Sequence, residues 1–211
     1  MFEVILFDLD GTLTESGIGI TRSVAHSLRK YGIEETDQSK LDRFVGPPLI
    51  DSYMRYYGFT REQAVQAVEY YREYYAVTGI FENRVYDGVV LMLQALQRAG
   101  KTCILATSKP EPYAVQILEH FGLASFFFCV AGATMDEKRT NKADVIAYAL
   151  EKAGKTGGAV MVGDRKHDME GARANGLPSI GVLYGYGSRE ELEAAGATYL
   201  AETAEEILKF V

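Results

Sequence analysis

Two aspartates lie close together after an apolar run near the start of the chain, in the segment Asp8-Leu9-Asp10-Gly11-Thr12. The residues before them, Val4-Ile5-Leu6-Phe7, are typical of a strand that is buried on both faces of a parallel sheet. Open parallel sheets bind ligands at the carboxyl ends of their strands. Such a carboxylate pair indicates a divalent cation with an anionic substrate, or a division between a nucleophile and a proton carrier. The structural alternative is an Asp-Gly turn that only closes the strand.

Other predicted strands also end in polar residues that could join these carboxylates. One strand leads into Thr107-Ser108-Lys109-Pro110, whose hydroxyl and backbone N–H groups could hold an anion. Another leads into Asp164 and Asp168, while Lys142 begins a predicted helix behind a basic loop. Because parallel strands end at one edge of a sheet, we expect four acids, one hydroxyl and one or two cations to converge in one crevice.

The elements that must position these residues alternate between short apolar runs and amphipathic stretches. The predicted strands are Val4 to Leu9, Thr102 to Ala106, Phe126 to Val130, Ala159 to Val162 and Ser179 to Leu183. The predicted helices are Gly88 to Ala99, Pro112 to Phe121, Lys142 to Ala153, Asp168 to Asn175, Arg189 to Ala195 and Thr203 to Phe210. This alternation predicts an α/β fold with a doubly wound parallel sheet, covered by helices on both faces.

A helical segment interrupts this alternation directly after the first carboxylates. Its predicted helices are Ile18 to Tyr31, Pro47 to Tyr57 and Thr60 to Val77, and Thr60 begins the last one with a capping box. We therefore expect an α/β core domain of residues 1–14 and 85–211 with an inserted helical cap domain of residues 15–84. An insertion at this position could act as a lid, with Gly17, Gly19 and Gly79 as hinges.

Eight of the 14 tyrosines lie in this insertion. A tyrosine-rich surface could stack on a ring of the substrate, such as a nucleobase. However, packing between helices is favoured by a shared helical face, which contains Ala67, Tyr71, Tyr74, Tyr75 and Thr78.

Composition limits the classes of function. The formal net charge of −7 argues against a non-specific nucleic-acid binder and is compatible with an acidic site that holds a cation. The chain begins without the pattern of a signal peptide, and no segment has 18 consecutive apolar residues, so we expect no membrane span and a cytoplasmic protein. Cys103 and Cys129 lie in apolar runs, which favours buried, reduced thiols.

Taken in order, these motifs resemble the haloacid dehalogenase superfamily of phosphotransferases. Asp8-Leu9-Asp10-Gly11-Thr12 is similar to its first motif, Thr107 to its second, Lys142 to its third, and Gly163-Asp164 through Asp168 to its fourth. The insertion, with Val45-Gly46-Pro47-Pro48-Leu49, resembles the cap of the phosphoglycolate phosphatase-like branch. Arg165 after Asp164, and Asn141 before Lys142, fit a related group that is associated with 5′-nucleotidases.

The resemblance implies a Mg²⁺-dependent phosphatase that acts on a small phosphorylated metabolite through an aspartyl-phosphate. Asp8 would be the nucleophile, Asp10 the acid and base, and Lys142 the cation that stabilises the transferring phosphoryl group. Thr107 and Ser108 would bind the phosphate. Mg²⁺ would be held by Asp8, the Asp10 carbonyl and Asp164.

The remaining polar residues at these strand ends have subordinate roles in this interpretation. Asp168 would orient Mg²⁺-bound waters or Lys142. Lys138 is the alternative candidate for the role given to Lys142. Lys109 and Arg165 are interpreted as ordinary surface cations.

Several alternatives stay open at this stage. A 5′-nucleotidase or a phosphomutase of the same superfamily would use the same residues. A phospho-accepting signalling receiver also combines acids, a hydroxyl and a lysine, but the long insertion after the first strand disfavours it. Ser108 stands where asparagine is usual in this branch. This difference leaves the identity of the substrate open but does not change the expected chemistry.

Overall fold

The computed structural model describes residues 2–136, 138–154 and 158–211. The chain forms two compact units. Unit 1 comprises the residues up to Thr14 together with Val85–Val211, and unit 2 comprises Glu15–Arg84.

The strands, in chain order, are β1 (Val4–Phe7), β2 (Thr14–Glu15), β3 (Arg84–Val85), β4 (Thr102–Pro110), β5 (Phe127–Ala133), β6 (Ala159–Gly163), β7 (Ser179–Val182) and β8 (Tyr199–Ala201). The helices are α1 (Gly17–Arg29), α2 (Gln38–Asp42), α3 (Leu49–Tyr57), α4 (Arg61–Tyr75), α5 (Val89–Arg98), α6 (Glu111–His120), α7 (Lys142–Ala153), α8 (Lys166–Ala174) and α9 (Arg189–Ala194). Short 3-10 helices cover Gly79–Phe81, Ala124–Phe126 and Glu205–Lys209.

The described part of unit 1 contains a six-stranded parallel sheet with the order β5-β4-β1-β6-β7-β8. Strand β1 lies inside the sheet, and all four of its residues are fully buried. Val4 pairs with Thr102 of β4 and with Ala159 of β6, so these three strands run side by side in one direction. The expected α/β fold with a parallel sheet is therefore confirmed, and Asp8 follows directly at the carboxyl end of β1.

Unit 2 is helical and has an aromatic interior of its own. Tyr53 and Tyr75 are among its largest fully buried side chains. The Tyr71 and Tyr75 rings stack with centroids 5.1 Å apart, and Tyr53 stacks on Phe59 at 5.8 Å. These tyrosines stabilise the packing of the helices within the unit, as the helical spacing favoured.

Several predicted boundaries and elements need correction. The carboxyl-terminal segment forms the 3-10 helix Glu205–Lys209 instead of an α-helix, and β8 and α2 were not predicted from the sequence. Helix α8 begins at Lys166 rather than Asp168, because the Asp168 carboxylate accepts a hydrogen bond from the Arg165 N–H at 3.0 Å and so caps the first turn.

Two of the three expected hinge glycines, Gly19 and Gly79, are close-packing positions within unit 2. Gly19 lies inside α1, where a Cβ atom would overlap the carbonyl oxygen of Gly79. The expected capping box of α4 is confirmed, with Thr60 and Gln63. Both cysteines are free, as expected, but only Cys103 is buried, and Cys129 is partly exposed. No helix among the described residues is long and apolar enough to cross a membrane.

Candidate active site

A buried lysine joins two of the aspartates. Lys142, the first residue of α7, lies with its Nζ atom 2.8 Å from Asp8 Oδ1 and 2.8 Å from Asp168 Oδ1, and it donates to the Ala106 carbonyl at 3.2 Å. These three acceptors match the three N–H groups of an ammonium ion. Burial lowers the pKa of Lys142, but the carboxylates of Asp168 and Asp8 raise it more, so the net direction is upward. The lysine therefore stays charged beside Asp8.

Helix α7 brings Lys142 into position because its start is fixed locally. The Asn141 side chain caps the helix by accepting a hydrogen bond from the Ala143 N–H at 2.8 Å. The side chain of Lys142 then passes Gly171 of α8, where a Cβ atom would lie only 2.9 Å from Lys142 Cγ. The glycine leaves room for the lysine between the two helices.

Asp164 lies at the end of β6 in a tightly enclosed pocket. Its carboxylate accepts a hydrogen bond from the Tyr186 N–H at 2.8 Å and a long one from the Thr12 hydroxyl at 3.4 Å. A Cβ atom at Gly11 or at Gly185 would overlap this side chain. Burial, together with the negative charges of Asp168 and Asp8, raises the pKa of Asp164 well above its ordinary value.

The three carboxylates of Asp8, Asp164 and Asp168 form a group that suits a hard divalent cation. One oxygen from each lies within 4.8 Å of the others, and all three residues are buried. Burial raises the pKa of Asp168 to about 6, against the opposing effect of Lys142. When all three carboxylates are ionised, Lys142 balances one of the three negative charges, and two stay unbalanced in this group. A divalent cation with oxygen ligands fits both the charge and the donor type.

Asp10 lies in a different electrostatic environment. Its Oδ2 atom is 2.8 Å from the ammonium of Lys109, whose side chain is 5% exposed. The interpretation of Lys109 as an ordinary surface cation is thus wrong, because the end of β4 directs it into the interior beside Asp10.

The end of β4 also carries the expected phosphate-binding residues. Thr107 is buried, and its hydroxyl oxygen accepts a hydrogen bond from the Lys109 N–H at 3.2 Å. That bond leaves the hydroxyl hydrogen of Thr107 available to an anion. Ser108 is the next residue of the same strand and is half-buried.

Arg165 is also not a plain surface cation. It is partly buried, and its Nε atom lies 2.8 Å from Glu191 of α9. The same carboxylate accepts the Lys166 N–H at 2.9 Å. By contrast, the proposed competitor Lys138 is exposed and pairs with Asp136.

The loop that follows β7 also reaches this site, which was not predicted from the sequence. Tyr184 donates its hydroxyl hydrogen to the Thr12 carbonyl at 2.9 Å, and Tyr186 binds Asp164 through its N–H. The pair of glycines Gly185 and Gly187 could have predicted this contact from the sequence. The loop that contains them follows a strand that ends at the same edge of the sheet as Asp8 and Asp164. Both glycines pack against Asp164.

This chain is similar to several known proteins. The family described as haloacid dehalogenase-like hydrolase matches residues 5–182. A 5′-nucleotidase of Pseudomonas aeruginosa is 46% identical over 202 residues, which cover 95% of this chain and 91% of the relative. The crystal structure of a predicted phosphatase from Clostridium acetobutylicum superposes with a TM-score of 0.96 at 49% identity, covering 100% of this chain and 98% of the other.

Other relatives have different names. A tyrosine-protein kinase, PtkA, of Mycobacterium tuberculosis is 38% identical over 96% of this chain, which spans 69% of that protein. A phosphoglycolate phosphatase of Vibrio parahaemolyticus is 28% identical over 99% of this chain and 96% of its own length. The chain therefore belongs to the haloacid dehalogenase-like hydrolase family, and within that family it is a phosphatase.

Proposed function

We propose that this protein is a Mg²⁺-dependent phosphatase that hydrolyses a small phosphomonoester through an aspartyl-phosphate at Asp8. One observation carries the proposal: the two aspartates of the first motif have different partners. Asp8 lies against Lys142 and the other buried carboxylates, whereas Asp10 lies against Lys109. Carboxylates in distinct environments can divide the roles of nucleophile and proton carrier.

Asp8 and Asp164, with the Asp10 carbonyl, are the proposed ligands of Mg²⁺. The excess of buried negative charge supports a divalent cation, and Mg²⁺ prefers such hard oxygen donors. When bound, Mg²⁺ supplies positive charge that offsets the repulsion between the carboxylates and a phosphate dianion.

The residues of the chain perform the chemical steps. An Asp8 oxygen attacks phosphorus, and the bond to the leaving oxygen breaks while Asp10 gives that oxygen a proton. Asp10 then takes a proton from the water that cleaves the aspartyl-phosphate, which restores Asp8 and releases phosphate. Thr107 and Ser108 hold the phosphoryl oxygens, and Lys142 places a fixed positive charge beside the nucleophile.

Asp168 holds Lys142 rather than the substrate in this proposal. Its Oδ1 atom is paired with the ammonium, and its Oδ2 atom caps α8. Both oxygens are thus used to fix the position of the lysine and the start of the helix.

Nucleoside 5′-monophosphates are the first substrate class to test. The 46% identity to a protein named 5′-nucleotidase supports this choice, since the match covers nearly the whole of both chains. Phosphoglycolate is the second class, supported by relatives with that name at lower identity. We further propose that the helical unit, residues 15–84, is a cap domain, because the chain enters it five residues after Asp10. The enzyme would act in the cytoplasm without a nucleic-acid or membrane partner.

The test is a phosphate-release assay over a panel of phosphomonoesters, with Mg²⁺ and with a chelator. The panel contains nucleoside 5′-monophosphates, phosphoglycolate and hexose phosphates. We expect release that depends on Mg²⁺ and is fastest with one class. Conversion of a hexose 1-phosphate to the 6-phosphate without free phosphate would instead indicate a phosphomutase, and no turnover of any ester would contradict the proposal.

A further inference from the structure

The buried ion pair between Lys109 and Asp10 is asymmetric. The ammonium lies 2.8 Å from Asp10 Oδ2. The other oxygen, Oδ1, is buried and has no hydrogen-bond partner among the described residues. A buried carboxylate oxygen without a partner is costly, so such an atom in a native protein calls for a function.

A local hydrogen bond holds the backbone of Lys109. Its N–H donates to the Thr107 hydroxyl oxygen at 3.2 Å, and the pairing of β4 with β5 shifts register between Ala106 and Pro110. Thr107 and Lys109 are separated by only one residue, so the hydroxyl and the ammonium lie within a short stretch of chain.

We propose that Lys109 is a positioning residue that holds Asp10 by Oδ2 and thereby makes Oδ1 the atom that carries the proton. This inference rests on the proposed function, in which Asp10 moves protons. A carboxylate oxygen can accept from an ammonium ion whether or not the other oxygen is protonated. The contact with Lys109 is thus maintained through both halves of the reaction.

In this scheme one proton leaves Asp10 in the first half of the reaction and returns to it in the second half. In the first half, the Oδ1–H bond breaks and the proton goes to the leaving oxygen, while the Asp8–phosphorus bond forms and the ester bond breaks. In the second half, a water oxygen bonds to phosphorus, the Asp8–phosphorus bond breaks, and Oδ1 receives the proton from the water. The products are the alcohol and phosphate, and Asp10 is protonated for the next turnover.

The test uses the full-length protein and two esters that differ in their need for a proton. An alkyl phosphomonoester, such as glycerol phosphate, requires protonation of its leaving oxygen, whereas p-nitrophenolate leaves as a stable anion. The variants are Lys109→Met, Lys109→Arg, Asp10→Asn and the double variant with Lys109→Met and Asp10→Asn. Lys101→Met is the matched control, since Lys101 precedes the same strand at its opposite end and donates to the Phe2 carbonyl at 2.7 Å.

We expect Lys109→Met to lower the single-turnover rate for the alkyl ester by about tenfold or more, since positioned acids contribute about 10²–10⁴-fold to such steps. The initial burst of p-nitrophenolate should change less than about threefold, because that step needs no acid. Lys109→Arg should restore part of the alkyl-ester rate. The double variant should be no slower than Asp10→Asn alone, because Lys109 acts through Asp10.

Three results would overturn the inference: equal losses with both esters, a further loss in the double variant, or unchanged rates in Lys109→Met. The first two would mean that Lys109 acts on the phosphoryl group directly. If Lys109→Met fails to fold, as judged by circular dichroism, Lys109→Arg with the two esters gives the same comparison. Failure of the proposed function is distinguishable, because Asp8→Asn would then retain activity with both esters, and Asp10→Asn would retain it with the alkyl ester.

Discussion

Replacing Lys142 with methionine should destabilise the protein strongly, and more so at high pH than at low pH. The lysine is 5% exposed and lies 2.8 Å from both Asp8 and Asp168. Removing one partner of a buried ion pair typically costs about 3–5 kcal/mol, because the other charge stays buried without compensation. For a chain of 150–250 residues, each kcal/mol lowers Tm by about 2–4 °C, so we expect Tm to fall by about 6–20 °C.

The pH dependence of this loss follows from the carboxylates. Burial already raises the pKa of Asp168 to about 6 in the presence of the lysine, and loss of the lysine should raise it further. A carboxyl group whose pKa is higher in the folded state than in the unfolded state binds protons more tightly when folded. Protonation of this group therefore stabilises the folded protein at low pH. The free energy of unfolding falls as the pH rises through the folded-state pKa.

The assay is thermal unfolding of Lys142→Met and of the unaltered protein from pH 5 to pH 8, with a chelator to remove divalent cations. The difference in Tm should widen as the pH rises. Lys101→Met is the control: it loses one hydrogen bond at the other end of β4 and should cost about 0.5–1.5 kcal/mol at every pH. A change of less than 2 °C in Lys142→Met at pH 8, or a difference that is the same at all pH values, would refute the reasoning.

Three further predictions concern the surroundings of the same carboxylates. The gain in Tm from Mg²⁺ should grow from pH 5 to pH 8, because the raised pKa of Asp164 makes protons compete with the cation. Glu191→Ala should weaken Mg²⁺ binding about 10- to 100-fold, measured by calorimetry, because the loop that holds Asp164 loses its support. Tyr184→Phe should lower the free energy of unfolding by about 1–3 kcal/mol in a urea titration, since it leaves the Thr12 carbonyl without its donor.

Each of these has a control and a contradicting result. Glu190→Ala, at the exposed neighbouring position, should leave Mg²⁺ affinity unchanged. If Glu191→Ala bound Mg²⁺ as tightly as the unaltered protein, Glu191 would have no supporting role. Tyr199→Phe removes a hydroxyl from a partly exposed tyrosine and should cost little. A Tyr184→Phe variant as stable as Tyr199→Phe would show that the hydrogen bond to Thr12 contributes nothing. A Mg²⁺ effect that does not vary with pH would exclude proton competition at Asp164.

The sequence was sufficient to predict which strand ends meet, because that depends on topology. Continuous apolar runs predict buried parallel strands, and such strands end at one edge. Asp8, Lys142 and Asp168 therefore could be expected to converge, and the structure brings them within ion-pair distance. The bounds of α7 could also be predicted, because Asn141 caps its start and Gly154, in a left-handed conformation, ends it.

Other contacts could not be predicted, because they depend on where a side chain points after a regular element ends. Lys109 lies in the stretch of β4 between Ala106 and Pro110 where the register is irregular, so strand alternation gives no direction for its side chain. The pair between Arg165 and Glu191 joins residues that are 26 positions apart through the docking of α9, which no local pattern specifies. The support of Asp164 by Tyr186 uses a backbone N–H, which any residue type could supply.

The central claim is that phosphorus is transferred to Asp8. The most direct measurement is acid quenching during turnover of the preferred ester, followed by borohydride reduction and mass spectrometry of the peptide that contains Asp8 and Asp10. We predict that Asp8 alone carries the modification, and that Asp8→Asn folds but neither forms it nor releases phosphate. Modification at Asp10, or phosphate release by Asp8→Asn at a rate near that of the unaltered protein, would contradict the account.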